Sequence, residues 1–187
     1  MDVIEAIRKR RSIRVYKTTP IDDETLETIL EAGRLAPSWG NSQTWRFIVV
    51  KDSGVKAQLA ESVLRPGNRA TNAVKIAPVV IAACAELNKA GFSAGVPSTD
   101  KGGYWFMFDA GLALENMALT ARSFGLGTLF VGGMDAKKTE SVLGVPEGYA
   151  SVILMVLGHP DEQPEARSRK AATEVLFKDR FGDTSRC

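Results

Sequence analysis

The sequence predicts a single domain that mixes helices with strands, and three features carry that expectation. The chain has 187 residues, enough to bury one substantial core and short for two. Residues 104–125, YWFMFDAGLALENMALTARSFG, are apolar at most positions, so a helix here needs cover on nearly every side. The runs APVVIAACA at 77–85 and ASVILMVLG at 150–158 read as strands, the first without polar alternation and therefore covered on both faces. Asp109, Glu115, Asn116, Thr120 and Arg122 interrupt the long helix, and each would be costly in hydrocarbon. It reads as a buried soluble helix and not as a membrane span. Gly125 supplies its stop, because glycine takes the left-handed conformation at little steric cost.

Composition narrows the function classes. Charged residues make up 25% of the chain and the net charge is +2, so nothing global calls for nucleic acid or an anionic membrane. MDVIEAIRKRR at the N-terminus is charged and lacks an apolar signal core, which points to the cytoplasm. Cys84 and Cys187 suit a reducing compartment and make no disulfide framework. One histidine, with no CxxC or HExxH, argues against a metal site.

In chain order, Asp2 caps a first helix, with Glu5 placed for a capping box and Val3, Ile4 and Ile7 on an apolar side. Six of the ten residues from Arg8 to Lys17 are basic. Alone, they fit a solvated face or weak nucleic-acid patch, or an anion site in which forked guanidinium groups and the Ser12 hydroxyl meet phosphate. Ile21 and Leu26 staple a second helix capped by Asp22, with Leu26, Ile29, Leu30 and Gly33 on one face. Pro37 ends it. The loop PSWGNSQTW at 37–45 precedes a strand at 46–51. Its short polar side chains either close turns or, through Asn41 and Gln43, meet the edge of a planar heterocycle.

A third helix is expected at 53–64, then a turn at 65–68. Residues 88–103 have no periodic pattern and read as either disordered or a lid. GLGTLFVGGM at 125–134 lacks the Lys-Ser or Lys-Thr of a phosphate loop, and no GxGxxG follows a strand. Gly132 and Gly133 either make a tight turn into a helix at 135–143 or let the backbone approach a flat ligand. His159 reads as a turn residue. In the tail, Arg167, Arg169 and Lys170 form a second basic group, and 174–177 is strand-like and expected to join a sheet.

Taken together, these segments resemble the flavin (FMN)-dependent nitroreductase family over almost the full chain. Arg10-Arg11-Ser12-Ile13-Arg14-Val15-Tyr16 fits its N-terminal pattern, and Pro37-Ser38-Trp39-Gly40-Asn41-Ser42-Gln43-Thr44-Trp45 fits its Pro-Ser-x-x-Asn-x-Gln-Pro-Trp loop. The long helix, the Gly-Leu-Gly-Thr turn with Gly-Gly, the Gly158-His159-Pro160 turn and the Arg-Ser-Arg-Lys tail follow in the family's order. Six such segments in order favour the anion reading of the first basic cluster. Thr44 stands where proline is usual, and Trp39 where a small polar residue is common.

The resemblance implies an α+β fold with a central, mainly antiparallel sheet flanked by helices, in an intertwined homodimer with FMN at the subunit interface. One domain spans 1–187, its extension at 164–187 lying on the partner subunit, and the long helix, Leu114 included, forms the interface spine. Arg10, Arg11, Ser12, Arg167 and Arg169 would hold the ribityl phosphate. Arg14 would lie near the pyrimidine end, and Asn68 or, preferred, Asn72 near the ribityl region. Pro37, Ser38, Asn41 and Gln43 would reach the ring from the other subunit, with Gly132 and Gly133 lining its face. The implied activity is two-electron transfer from NADH or NADPH to a nitroaromatic, quinone or activated alkene, with no side-chain catalyst. Flavin cleavage, dehalogenation or peptide dehydrogenation on the same fold, a non-catalytic flavin binder and a nucleic-acid module are the alternatives.

Overall fold

Among the described residues six segments form strands: β1 (Trp45–Val50), β2 (Val79–Glu86), β3 (Phe92–Ser93), β4 (Val96–Pro97), β5 (Gly127–Val131) and β6 (Tyr149–Gly158). A computed structural model of the chain describes residues 1–184. Four strands form one wholly antiparallel sheet in the order β1-β2-β6-β5, and β3 and β4 make a separate small hairpin. The register of β2 explains its lack of polar residues. Val80 and Ala82 join one core with Leu129, Val131, Leu154 and Val156. Val79, Ile81 and Ala83 face the opposite core with Met155 and Leu157. Side chains alternate across a strand, so a strand buried on both faces must be apolar throughout.

Seven helices surround the sheet among the described residues: α1 (Val3–Lys9), α2 (Asp23–Arg34), α3 (Ser53–Gln58), α4 (Thr71–Ile76), α5 (Trp105–Ser123), α6 (Ala136–Leu143) and α7 (Ala172–Val175). The Asp22 side chain accepts from Thr25 N at 2.8 Å to open α2, with Ile21 and Leu26 both buried as the staple requires. Gly33 lets α2 approach α5 closely, since an added Cβ there would meet the Met117 side chain at 2.1 Å. The fully buried Met117 occupies that space.

Several expectations change. Asp2 caps α1 through Glu5 N, but the Glu5 carboxylate turns to Lys9 Nζ, so the capping box is half formed. The α1 apolar side is uncovered in the single chain, with Val3 67% and Ile4 56% exposed. The helix expected at 53–64 is α-helical only to Gln58 and widens into a π turn over Leu59–Val63. Residues 174–177 do not form a strand: Glu174 caps the short exposed helix α7 by accepting from Ala171 N. Leu114 belongs to the chain's own core beside Leu26 and Met117, not to an outer surface. Large apolar side chains stay exposed at both ends of α5: Tyr104, Met107 and Phe108 around its start, and Phe124 just past its last turn. Cys187 and the end of the 164–187 extension lie outside the described residues. Among those residues no helix is long and apolar enough to cross a membrane.

Residues 88–103 are tied down. Their β3–β4 hairpin leads to Thr99, whose Oγ1 accepts from Trp105 Nε1 at 2.8 Å. Trp105 in turn lies against Trp39, ring centroids 4.6 Å apart and tilted by 42°. Beneath this contact Asp109, 1% exposed, takes the Trp39 backbone N–H on both carboxylate oxygens at 3.1 Å. Burial raises the Asp109 carboxyl above the usual aspartate range, outweighing the opposite pull of the Trp39 hydrogen bond. The folded chain therefore holds this proton more tightly than the unfolded one, and Asp109 costs stability as pH rises from the ordinary aspartate value through the raised one. Asn keeps an acceptor oxygen without the charge. In melting curves from pH 3.5 to 7.5, Asp109→Asn should gain on the wild type as pH rises through that window and hold a constant difference above it. A difference that narrows with pH would contradict the assignment.

Candidate functional site

Two hydrogen bonds bring the two basic segments together. Lys17 N donates to His159 O and Asp161 N donates to Val15 O, both at 2.9 Å. Glu162 adds a clasp by accepting from the amides of Arg14 and Val15. On its other side the segment joins β5, where Ile13 N donates to Thr128 O at 3.0 Å. A side chain at Gly127 would strike Ile13 at 2.6 Å, so glycine there permits the contact. Tyr16, 5% exposed, anchors the pairing, and burial pushes its hydroxyl far above the ordinary tyrosine range.

The consequence is a cavity of about 270 Å³ lined by Arg10, Arg11, Ser12, Arg14, Arg167 and Arg169. Residues some 150 positions apart in sequence thus converge on one small volume, closed by Pro164 and Glu165. Arg11 Nη1 is spent on the carbonyls of Arg8 and Arg10, at 2.7 and 2.8 Å, which satisfies acceptors at the end of α1. Arg10 Nε lies 3.7 Å from Glu115 on α5. The cluster has the donors and charge for a phosphate monoester, with one carboxylate, Glu165, at its edge.

At the far end of β5, Gly132 is exposed and Gly133 half-buried. Gly133 O accepts from Asn68 Nδ2 at 2.9 Å and from Arg65 N at 3.2 Å. A Cβ on Gly133 would sit 3.0 Å from the Asn68 amide, so that slot belongs to Asn68. Neither glycine has a positive φ; the absent side chains serve close approach, not backbone conformation. Asn68 is built into this wall, whereas Asn72 lies exposed on α4.

Loop 37–45 forms a third part. Gly40, Asn41 and Gln43 all have positive φ, at 49°, 55° and 46°. Such backbone is costly for side-chain-bearing residues and persists where neighbours over-determine it. Here Asp109 fixes Trp39, and Ser38 Oγ accepts from Gln43 N at 3.0 Å. Gln43 Nε2 also reaches Asn41 Oδ1 at 3.2 Å. Pro37 and Ser38 line a cavity of about 320 Å³ with Trp39, Trp105, Phe108 and Asp109. It shares no residue with the arginine cavity. Thr44, in the usual proline position, is buried, with its Oγ1 unpaired among the described residues.

Of the residues singled out in the sequence, one chain unites Arg10, Arg11, Ser12, Arg14, Arg167 and Arg169, and keeps Pro37, Ser38, Asn41 and Gln43 apart from them. Sequence reading passed over Asp109 as an anchor. Its signal was available: a lone carboxylate within an apolar helix must either leave the core or find a donor.

Comparison with known proteins agrees with this architecture. The Nitroreductase family model matches residues 7–159. The NADPH-flavin oxidoreductase of Vibrio harveyi is 32% identical over 184 residues, covering 96% of this chain and 75% of the relative. The FMN reductase [NAD(P)H] of Bacillus subtilis is 30% identical over 194 residues, covering 96% and 74%. The crystal structure of nitroreductase A from Vibrio parahaemolyticus superposes with a TM-score of 0.82 at 31% identity, covering 98% of this chain and 78% of that one. A match across most of the length, on the fold that carries the arginine cavity and the glycine wall, makes this chain a member of the nitroreductase family.

Proposed function

We propose that this protein is an FMN-dependent NAD(P)H oxidoreductase that moves two electrons from a reduced nicotinamide to a small acceptor. One observation carries the reading: the convergence of Arg10, Arg11, Ser12, Arg14, Arg167 and Arg169 on a single cavity with room for a phosphate group. Relatives named as an NADPH-flavin oxidoreductase and an FMN reductase support the choice of flavin. FMN, when bound, supplies the electron-carrying chemistry, so the chain needs no nucleophile or acid–base pair of its own.

The residues divide the work. Arg10, Arg11, Ser12, Arg14, Arg167 and Arg169, which line one cavity, hold the phosphate. Strand β5 spaces the Ser12–Thr128 contact from Gly132 by about 13 Å, four residues at ~3.3 Å each. That span covers a ribityl chain and the near part of the ring, leaving Gly132 and Gly133 beside the ring. Asn68, held on Gly133, is better placed in that wall than Asn72. The reduced nicotinamide and the acceptor use the same cleft in turn, and nitroaromatics, quinones and activated alkenes are the acceptor classes.

The protein acts as a homodimer, in which Pro37, Ser38, Asn41 and Gln43 of one subunit complete the ring site of the other. The exposed apolar side of α1 and the exposed first turns of α5 are the surfaces such a dimer would cover. The free edge of β1 and the exposed tail after Pro164 are open to the same partner.

Three outcomes test this reading. Purified protein should be yellow and lose its visible flavin absorbance when NADH or NADPH is added without oxygen; a yellow protein that no nicotinamide bleaches would instead be a flavin binder. Arg10→Ala should weaken FMN retention by roughly tenfold to a hundredfold, as loss of a charge-assisted contact implies. Arg8→Ala, outside the cavity, should leave retention near wild type, and equal retention by the two variants would remove the phosphate assignment. Phe108→Glu should yield a folded monomer depleted in FMN, measured by sedimentation and flavin-to-protein absorbance; a monomer with full flavin would sever dimer from site.

A further inference from the structure

A second cleft of about 360 Å³ borders the arginine cavity and shares Arg10, Arg11 and Pro164 with it. Its own polar lining comes from Lys9, Arg122, Thr128, Glu162 and Gln163. Four buried side-chain polar atoms lack a partner among the described residues, and two of them, Arg122 Nε and Thr128 Oγ1, belong to residues of this cleft. Thr128 is 2% exposed. Buried polar groups are nearly always hydrogen-bonded, so two orphans at one place mark a missing partner.

The chemistry of that partner follows from what is unsatisfied. A guanidinium Nε–H can only donate, and a threonine hydroxyl donates readily. Both lack an acceptor oxygen. The charge points the same way, since Lys9, Arg10, Arg11 and Arg122 face the cleft while Glu162 is its one carboxylate. Glu162 Oε1 already takes the amides of Arg14 and Val15. Lys9 pairs with Glu5 and Arg10 leans toward Glu115, but Arg122 makes no ion pair among the described residues. The volume exceeds what one water fills, whose share of the liquid is about 30 Å³.

We infer that this cleft is a second phosphate-ester site, beside the flavin phosphate cavity, that receives a phosphate group of the nicotinamide dinucleotide. The inference rests on the oxidoreductase reading for the identity of the nucleotide, but not for the anion site itself. Two groups share the required chemistry: the pyrophosphate common to NADH and NADPH, and the 2′-phosphate of NADPH alone.

The test uses the FMN-loaded protein with Arg122→Met, which keeps length without charge, Arg122→Lys as a conservative control, and the near-isosteric Thr128→Val. Calorimetric titration with inorganic pyrophosphate needs no turnover. Arg122→Met should weaken that binding about tenfold or more, Thr128→Val less, and Arg122→Lys should recover part of the loss. FMN content should match wild type in all three. The KM for nicotinamide should rise in parallel, for both NADH and NADPH if the pyrophosphate is read and for NADPH alone if the 2′-phosphate is. Pyrophosphate binding that is absent from the wild type, or unchanged in Arg122→Met with native circular dichroism, would overturn the site. Loss of FMN from folded Arg122→Met and Thr128→Val would also overturn it, by merging the cleft with the flavin phosphate cavity. Failure of the wild type to oxidise any nicotinamide, with pyrophosphate binding intact, would defeat the oxidoreductase reading and leave the anion site standing.

Discussion

The pairing of residues 15–17 with 159–161 is the constraint on which the arginine cavity depends. Two backbone bonds and the Glu162 clasp hold the N-terminal basic segment against the end of β6. Only then does the chain leaving Pro160 pass beside Arg10 and Arg11 and deliver Arg167 and Arg169 to the same volume. Five guanidinium groups that share a cavity repel one another, and only part of their donors are spent on backbone carbonyls and Glu115. Because backbone pairing and the Glu162 carboxylate assemble them, the cradle is preformed and its electrostatic cost is met by folding.

A different device holds the loop of Asn41 and Gln43. That loop is strained in its backbone and exposed at its tips, so local interactions alone would not keep it in place. Asp109 supplies a fixed point inside the protein, and Trp39 and Trp105 connect that point to the hairpin of residues 88–103. A buried carboxylate is an expensive anchor, and it is tolerable because both oxygens receive the Trp39 amide. The bulky indole at position 39 is thereby part of the scaffold under the loop as well as a wall of its cavity.

The sequence revealed what depends on neighbouring residues and concealed what depends on distant ones. The cap at Asp22, the stop at Gly125 and the core strand at 77–85 follow from local pattern, and all three appear in the fold. The basic clusters were legible as chemistry, yet their union depends on the antiparallel return of β6, which no spacing encodes. Asn68 and Asn72 are four residues apart and equally polar, so only the position of Gly133 separates them. The strand-like composition of 174–177 misled for a related reason: β-branched and aromatic residues favour a strand only where an edge accepts them. Among the described residues of one chain, 174–177 meet no such edge, and Glu174 caps a short helix instead.

The distribution of exposed apolar surface gives the long helix a different role from the one its composition suggested. Most of α5 is enclosed by its own chain, through Ala110, Ala113, Leu114, Met117, Ala118 and Ala121. Phe124 stays open past its last turn, and a group of three, Tyr104, Met107 and Phe108, stays open around its start, next to the anchored loop and its aromatic cavity. The arginine cavity is associated with the other part of the helix, through Arg10 and Glu115. The apolar surface beside the anchored loop is what the second copy of the proposed homodimer would cover. In that dimer the cover over the first turns of α5 would adjoin the loop of Asn41 and Gln43, whose Pro37 and Ser38 share a cavity with Phe108. Burial of the helix start and completion of the site then become a single event.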